Sequence, residues 1–123
     1  MTHILVVDDE PDILRFLTAL LEQQNETRVT TARRSSVARS VLMRESVDLI
    51  IADARMPGES GVALALAAAE FGVPTIIMTG DRLWALAQGA PPESLLDKPF
   101  DAEELQARIS QQLEAIRRSS AAR

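Results

Sequence analysis

A run of three acids, Asp8-Asp9-Glu10, follows a short apolar stretch near the start of this sequence. A single carboxylate, Asp53, ends another, in VDLIIADARMPG from Val47 to Gly58, while Thr79 and Lys98 close two more. Apolar runs that end in this way read as strands of a parallel sheet whose carboxyl ends lie along one edge, where open α/β folds handle ligands. Asp8, Asp9 and Asp53 gathered there repel one another, which is costly unless a cation offsets them. Hard oxygen ligands with open coordination positions favour Mg²⁺, which keeps waters and readily accepts a phosphate oxygen. A lysine and a hydroxyl beside that metal form a phosphate-reading pair. These residue types point to a carboxylate that receives a phosphoryl group while metal and lysine neutralise charge during the transfer.

Such chemistry needs strands that converge, and the chain contains five candidates. Ile4 to Val7 is the first, and Asp8 or Asp9 is expected to cap the helix after it, with Pro11 in its first turn. That helix carries a broad apolar stripe of Ile13, Leu14, Phe16, Leu17, Leu20 and Leu21. Arg28 to Thr31 is rich in β-branched residues and reads as an outer strand. A helix over Ser35 to Arg44 precedes the central strand, Asp48 to Ala52, which delivers Asp53 before Pro57 and Gly58 break the chain. The alanine- and leucine-rich segment Gly61 to Phe71 reads as a helix ended by Gly72, and Thr75 to Met78 is a buried strand closing on Thr79. Leu83 to Gln88 makes barely two helical turns before Gly89 and Pro91-Pro92, and Ser94 to Leu96 is a short last strand. The final helix opens at Asp101 with Glu104 three residues on, the capping-box spacing in an aspartate variant. Its apolar line is Leu105, Ile109, Leu113 and Ile116, with Arg117 and Arg118 in its last turn. Residues 119–123 read as a polar tail or the start of a linker. Strand and helix alternate five times, which implies right-handed crossovers and an α/β doubly wound, five-stranded parallel sheet with a shortened fourth helix.

A chain of 123 residues is one domain with room for a core. Its 46% hydrophobic and 25% charged residues are ordinary for a soluble globular protein. A net charge of −5 argues against direct nucleic-acid binding, which needs a basic footprint. The absence of cysteine removes disulfides and thiolate chemistry and agrees with a cytoplasmic location. No apolar stretch approaches the roughly 18 residues of a membrane span, and there is no signal-peptide pattern at the N-terminus.

The segments VVDDE, IIADARMPG, IIMTG and LLDKPF, in this order and at these separations, resemble the receiver domain of bacterial two-component response regulators, the CheY-like family. The resemblance covers nearly the whole chain, with residues 1–118 as the domain. It implies a flavodoxin-like (βα)5 fold and Asp53 as phosphoacceptor, fed by a histidine kinase or a histidine phosphotransfer protein. It also implies Mg²⁺ bound directly by Asp9, Asp53 and the backbone carbonyl of Arg55, with Asp8 acting largely through water. Thr79 would hydrogen-bond the phosphoryl group, Lys98 would pair with one of its oxygens, and the Lys98-Pro99 bond would be cis. A signalling module of this kind is not an enzyme beyond slow autodephosphorylation. Its output goes to a downstream protein or an output domain outside this sequence, with dimerisation through the helix 4–strand 5–helix 5 face as an option.

Two departures from the family stand out. Leu95 occupies the position, three residues before the lysine, where the family usually has an aromatic that swings inward on activation, and the fourth helix is cut short. Arg55 and Asp81, two residues after Asp53 and Thr79, sit where the family tunes hydrolysis, and their opposite charges can pair across the site mouth. Blander roles exist for single residues: helix caps for Asp8 and Asp9, a strand-end turn for Asp53, caps or solvated positions for Ser35, Ser36 and Ser60. His3 reads as structural and Trp84 as core packing, with a partner contact as its alternative. Among other functions, a haloacid-dehalogenase-type phosphatase needs a second acid where Arg55 stands, and a flavodoxin-like cofactor binder needs a Gly-, Ser- or Thr-rich first loop in place of Asp8-Asp9-Glu10. A phosphorylation-independent adaptor on the same fold is the remaining alternative, and the intact set of acids weighs against it.

Overall fold

Residues 1–121 are described in the computed structural model of the chain, with side chains as far as Arg118. The β-branched and aliphatic runs form five strands, β1 (Thr2–Val7), β2 (Thr27–Ala32), β3 (Leu49–Asp53), β4 (Thr75–Thr79) and β5 (Leu95–Asp97). All pair in parallel in the order β2-β1-β3-β4-β5. The helices are α1 (Pro11–Leu21), α2 (Ser35–Arg44), α3 (Gly61–Ala69), α4 (Arg82–Ala87) and α5 (Ala102–Ala121). This is the doubly wound α/β architecture expected of the sequence.

β1, β3 and β4 are buried along nearly their whole length, as strands covered on both faces must be. Side chains alternate across the sheet. Ile4, Val6, Leu49, Ile51, Ile76 and Met78 meet Leu14, Leu17 and Leu21 of α1 and Leu105 and Ile109 of α5. Leu5, Val7, Ile50 and Ala52 meet Ala38 and Val41 of α2 and Leu64 and Ala68 of α3. Farther along that second face, Ile77 and Leu95 pack with Ala65 of α3 and Ala85 of α4.

Register, more than packing, builds the site. Val7 lies opposite Ala52, so the next residues, Asp8 and Asp53, leave the sheet side by side where the winding reverses. Asp53 lies opposite Met78 and Thr79 opposite Asp97, which brings Thr79 and Lys98 to the same edge.

Local chemistry explains the helix ends. Asp101 Oδ1 accepts the Glu104 N–H at 2.8 Å and Glu104 Oε1 accepts the Asp101 N–H at 3.4 Å, closing the expected capping box. Ser60 caps α3 by accepting the Ala63 N–H at 3.1 Å. The cap of α1 differs from expectation: it is Glu10, and its side chain makes no cap bond. With Pro11 at the first helical position, Asp8 lies too far upstream, and its carboxylate instead accepts the Glu10 N–H at 2.9 Å. Phe16, expected in the core-facing stripe, is 59% exposed, because Leu14, Leu17 and Leu21 fill the narrower strip that the sheet covers. The short last strand begins one residue late, since Ser94 belongs to a 3₁₀ turn over Pro92–Ser94. The tail expected from residue 119 continues α5 through Ala121, there being no Gly or Pro to stop it, and residues 122–123 lie outside the described residues.

Candidate functional site

Asp8, Asp9 and Asp53 each present a carboxylate oxygen within 4.8 Å of the others. Asp8 is 2% exposed. Burial pushes its carboxyl up from 3.8 to about 6; the neighbouring Asp53 and Asp9 charges add to the rise, and the Glu10 N–H and Lys98 oppose it. Asp9 and Asp53 are half-buried at the surface of the cluster. Lys98, which follows β5, reaches back so that its Nζ lies 2.5 Å from Asp53 Oδ1. Its amide is bonded to the Thr79 carbonyl at 2.8 Å, and the Lys98-Pro99 bond is cis, as the resemblance implies.

A recess of about 280 Å³ opens over Asp53, floored by Met78 and Thr79 and walled by Lys98, Arg55 and Asp81. Thr79 is 3% exposed, and its Oγ1 accepts the Asp81 N–H at 2.9 Å, which leaves the hydroxyl hydrogen free to donate. Across the mouth, Arg55 Nη2 lies 3.3 Å from Asp81 Oδ2, the pairing expected of these opposite charges. The guanidinium also stacks 4.1 Å from the centroid of Trp84. Trp84 is therefore more than core packing. It is half-buried, resting on the Leu95 cluster with one side and carrying Arg55 on the other.

The donor set suits a divalent hard cation. Three carboxylates face one ammonium, every ligand atom is oxygen, and Asp8 holds its proton well above the usual carboxylate range. Arg55 lies two residues beyond Asp53 in the loop before α3.

The residues expected at the site thus converge: Asp8, Asp9, Asp53, Thr79 and Lys98 on one edge, Arg55 and Asp81 at its rim. Gly61 was not foreseen. A Cβ there would lie 2.0 Å from the Asp53 carbonyl oxygen, and the Gly61 N–H donates to the Ala54 carbonyl at 3.0 Å. The first turn of α3 presses on the backbone of Asp53 so closely that no side chain fits, a constraint whose only local trace is a glycine directly after the capping Ser60. Ser35 is buried and donates to the Glu59 carbonyl at 3.0 Å, tying α2 to the same loop. His3 lies at the opposite end of the sheet, its ring nitrogens 2.8 Å from the Ser46 carbonyl and 2.7 Å from Thr30 Oγ1, a structural role as expected.

A family model described as the response regulator receiver domain matches residues 4–110. The chain belongs to the response-regulator receiver family. This receiver is 36% identical over 119 residues to the transcriptional regulatory protein GlrR of Escherichia coli K12, covering 91% of the chain and 26% of GlrR. It is 34% identical over 113 residues to the torCAD operon transcriptional regulatory protein TorR of the same strain, covering 87% of the chain and 48% of TorR. The chain therefore spans between a quarter and a half of the length of these two regulators. Among solved structures, the signal receiver domain of an HD domain-containing protein from Pseudomonas fluorescens Pf-5 superposes with a TM-score of 0.86 at 29% identity, over 98% of this chain and 92% of that one. Receiver domains of this family are signalling modules of two-component systems. Among the described residues no helix is long and apolar enough to cross a membrane.

Proposed function

We propose that Asp53 is the phosphoacceptor of this receiver and that the charge it gains switches a protein-interaction surface. The observation that carries this reading is the seating of Asp53 between Lys98 Nζ, at 2.5 Å, and the Asp8 and Asp9 carboxylates, beneath a recess of about 280 Å³. An Asp53 oxygen attacks the phosphorus of a phosphohistidine on a histidine kinase or histidine phosphotransfer protein. The new O–P bond forms as the P–N bond breaks, and the departing imidazole keeps the electron pair. Lys98 follows the charge from the carboxylate to a phosphoryl oxygen, and Thr79 donates its hydroxyl hydrogen to another while still accepting the Asp81 N–H. Asp9, Asp53 and the Arg55 backbone carbonyl would hold Mg²⁺, with Asp8 acting through water. Bound there, the ion supplies the positive charge that lets phosphoryl oxygens approach three carboxylates. Slow autodephosphorylation reverses the state: water bonds to phosphorus as the Asp53 O–P bond breaks, releasing inorganic phosphate. The domain, residues 1–118, works in the cytoplasm and delivers its signal to a downstream protein or an attached output domain. Self-association through α4, β5 and α5 is one route for that delivery.

The test is intact-mass measurement after incubation with Mg²⁺ and acetyl phosphate. The wild-type chain is expected to gain one phosphoryl group and Asp53→Asn none. Equal labelling of both proteins overturns the assignment, and no labelling of either favours a phosphorylation-independent adaptor.

A further inference from the structure

Leu95 is fully buried, packed with Ile77, Ala85 and Ala90, and has neither a ring nor a polar tip with which to report the state of Asp53. The same cluster carries an aromatic on its α4 side, Trp84, and that ring touches the rim of the recess through Arg55, 4.1 Å away. Asp81 completes the connection. Its Oδ1 caps α4 by accepting the Trp84 N–H at 3.1 Å, and its Oδ2 pairs with Arg55 at 3.3 Å. α4 spans only Arg82–Ala87 and is followed by Gly89 at φ +100° and by two prolines, so few hydrogen bonds hold it and its cap counts heavily.

We propose that Trp84 and Asp81 station the Arg55 guanidinium at the mouth of the recess, and that a phosphoryl group on Asp53 draws it away, so that α4 reads the acceptor through Trp84 in place of an aromatic at residue 95. The inference rests on Asp53 being the phosphoacceptor. Arg55 and Asp81 are both more than half exposed, so their pairing is screened and exchangeable. A phosphoryl group in the same recess carries more negative charge than Asp81 and offers oxygens that match the guanidinium fork. Its charge also repels the Asp81 carboxylate. When Arg55 turns inward, the Trp84 ring loses its cover, Asp81 is left with the α4 cap alone, and Thr79, bonded to the Asp81 amide, pulls on the same turn.

Trp84 is the sole tryptophan, so its fluorescence reads this event directly. In the full chain with Mg²⁺ and acetyl phosphate, emission is expected to shift to the red in step with the mass gain of one phosphoryl group. Arg55→Ala is expected to show the shifted emission before phosphorylation and no further change after it. Trp84→Leu releases Arg55 to cover the phosphoryl group and should lengthen the lifetime of phospho-Asp53 several-fold, whereas Arg55→Ala shortens it. In the Arg55→Ala background Trp84→Leu should have no effect. A mass gain with unchanged Trp84 emission overturns the inference and leaves the acceptor reading standing, as does an effect of Trp84→Leu that is equal with and without Arg55. Absence of any mass gain overturns both.

Discussion

The edge around Asp53 and the cluster around Leu95 lie within one sheet and are built on opposite terms. At the first, three carboxylates meet one ammonium, Asp8 is buried with a raised pKa, and a recess stands open. At the second, Leu95, Ile77, Val62 and Ala85 are buried apolar side chains packed on one another. Charge concentrated without full compensation responds to a change of ligand, and apolar close packing resists one. On the proposed reading, the contrast gives the response to a phosphoryl group to the edge and stiffness to the cluster. It leaves the contacts of exposed Arg55 and Asp81 with half-buried Trp84 as the adjustable link between them.

Substitutions that cut at each region should separate the two characters. Gly61→Ala, at the edge, is expected to cost the most. Its Cβ would overlap the Asp53 carbonyl, and overpacking against backbone should destabilise the protein by about 3 kcal/mol and slow phosphoryl uptake by the fraction still folded. Urea unfolding and mass labelling of the same sample read the two effects. Leu95→Ala should cost nearly as much, about 2–3 kcal/mol from the cavity it leaves, yet folded Leu95→Ala should take up phosphate at the wild-type rate. A large loss of labelling rate there would erase the distinction between sensor and brace.

Asp8 offers a subtler test, with a pH signature. Its carboxyl titrates at about 6 in the fold against 3.8 ordinarily, so between those values the metal-free folded state holds a proton that the unfolded chain has lost. The stability this contributes is whole below pH 3.8 and is lost as the pH rises through about 6. Asp8→Asn removes the buried charge and should raise metal-free stability at pH 7 by about 1–2 kcal/mol while flattening that pH dependence. Added Mg²⁺ should then raise the melting temperature of the wild type more than that of Asp8→Asn. The smallest effect belongs to the link. Asp81→Ala loses the α4 cap and the Arg55 partner and should cost about 1 kcal/mol by thermal unfolding, most of it from the cap.

Much of this was legible in the order of residues. Strand runs ending at Asp8, Asp53, Thr79 and Lys98, the Asp101–Glu104 box, the Ser60 cap and the curtailed α4 before Gly89 and Pro91-Pro92 all depend on neighbours a few positions away. Such signals survive in the sequence because backbone hydrogen bonding and side-chain periodicity are short-ranged. Other features depend on which strands become neighbours and on where helices land. The parallel register that sets Asp8 beside Asp53, the exposure of Phe16, the press of Gly61 against the Asp53 carbonyl and the stacking of Arg55 on Trp84 join residues far apart in the chain or decided by the shape of a covering surface. Asp53 as a lone acid at the end of a buried strand could be named from the string of letters. The acids, hydroxyl and amine expected beside it could be named as well, but their distances came from folding, because carboxylates, lysine and arginine act on one another through distance in space, and only the packed sheet sets that distance.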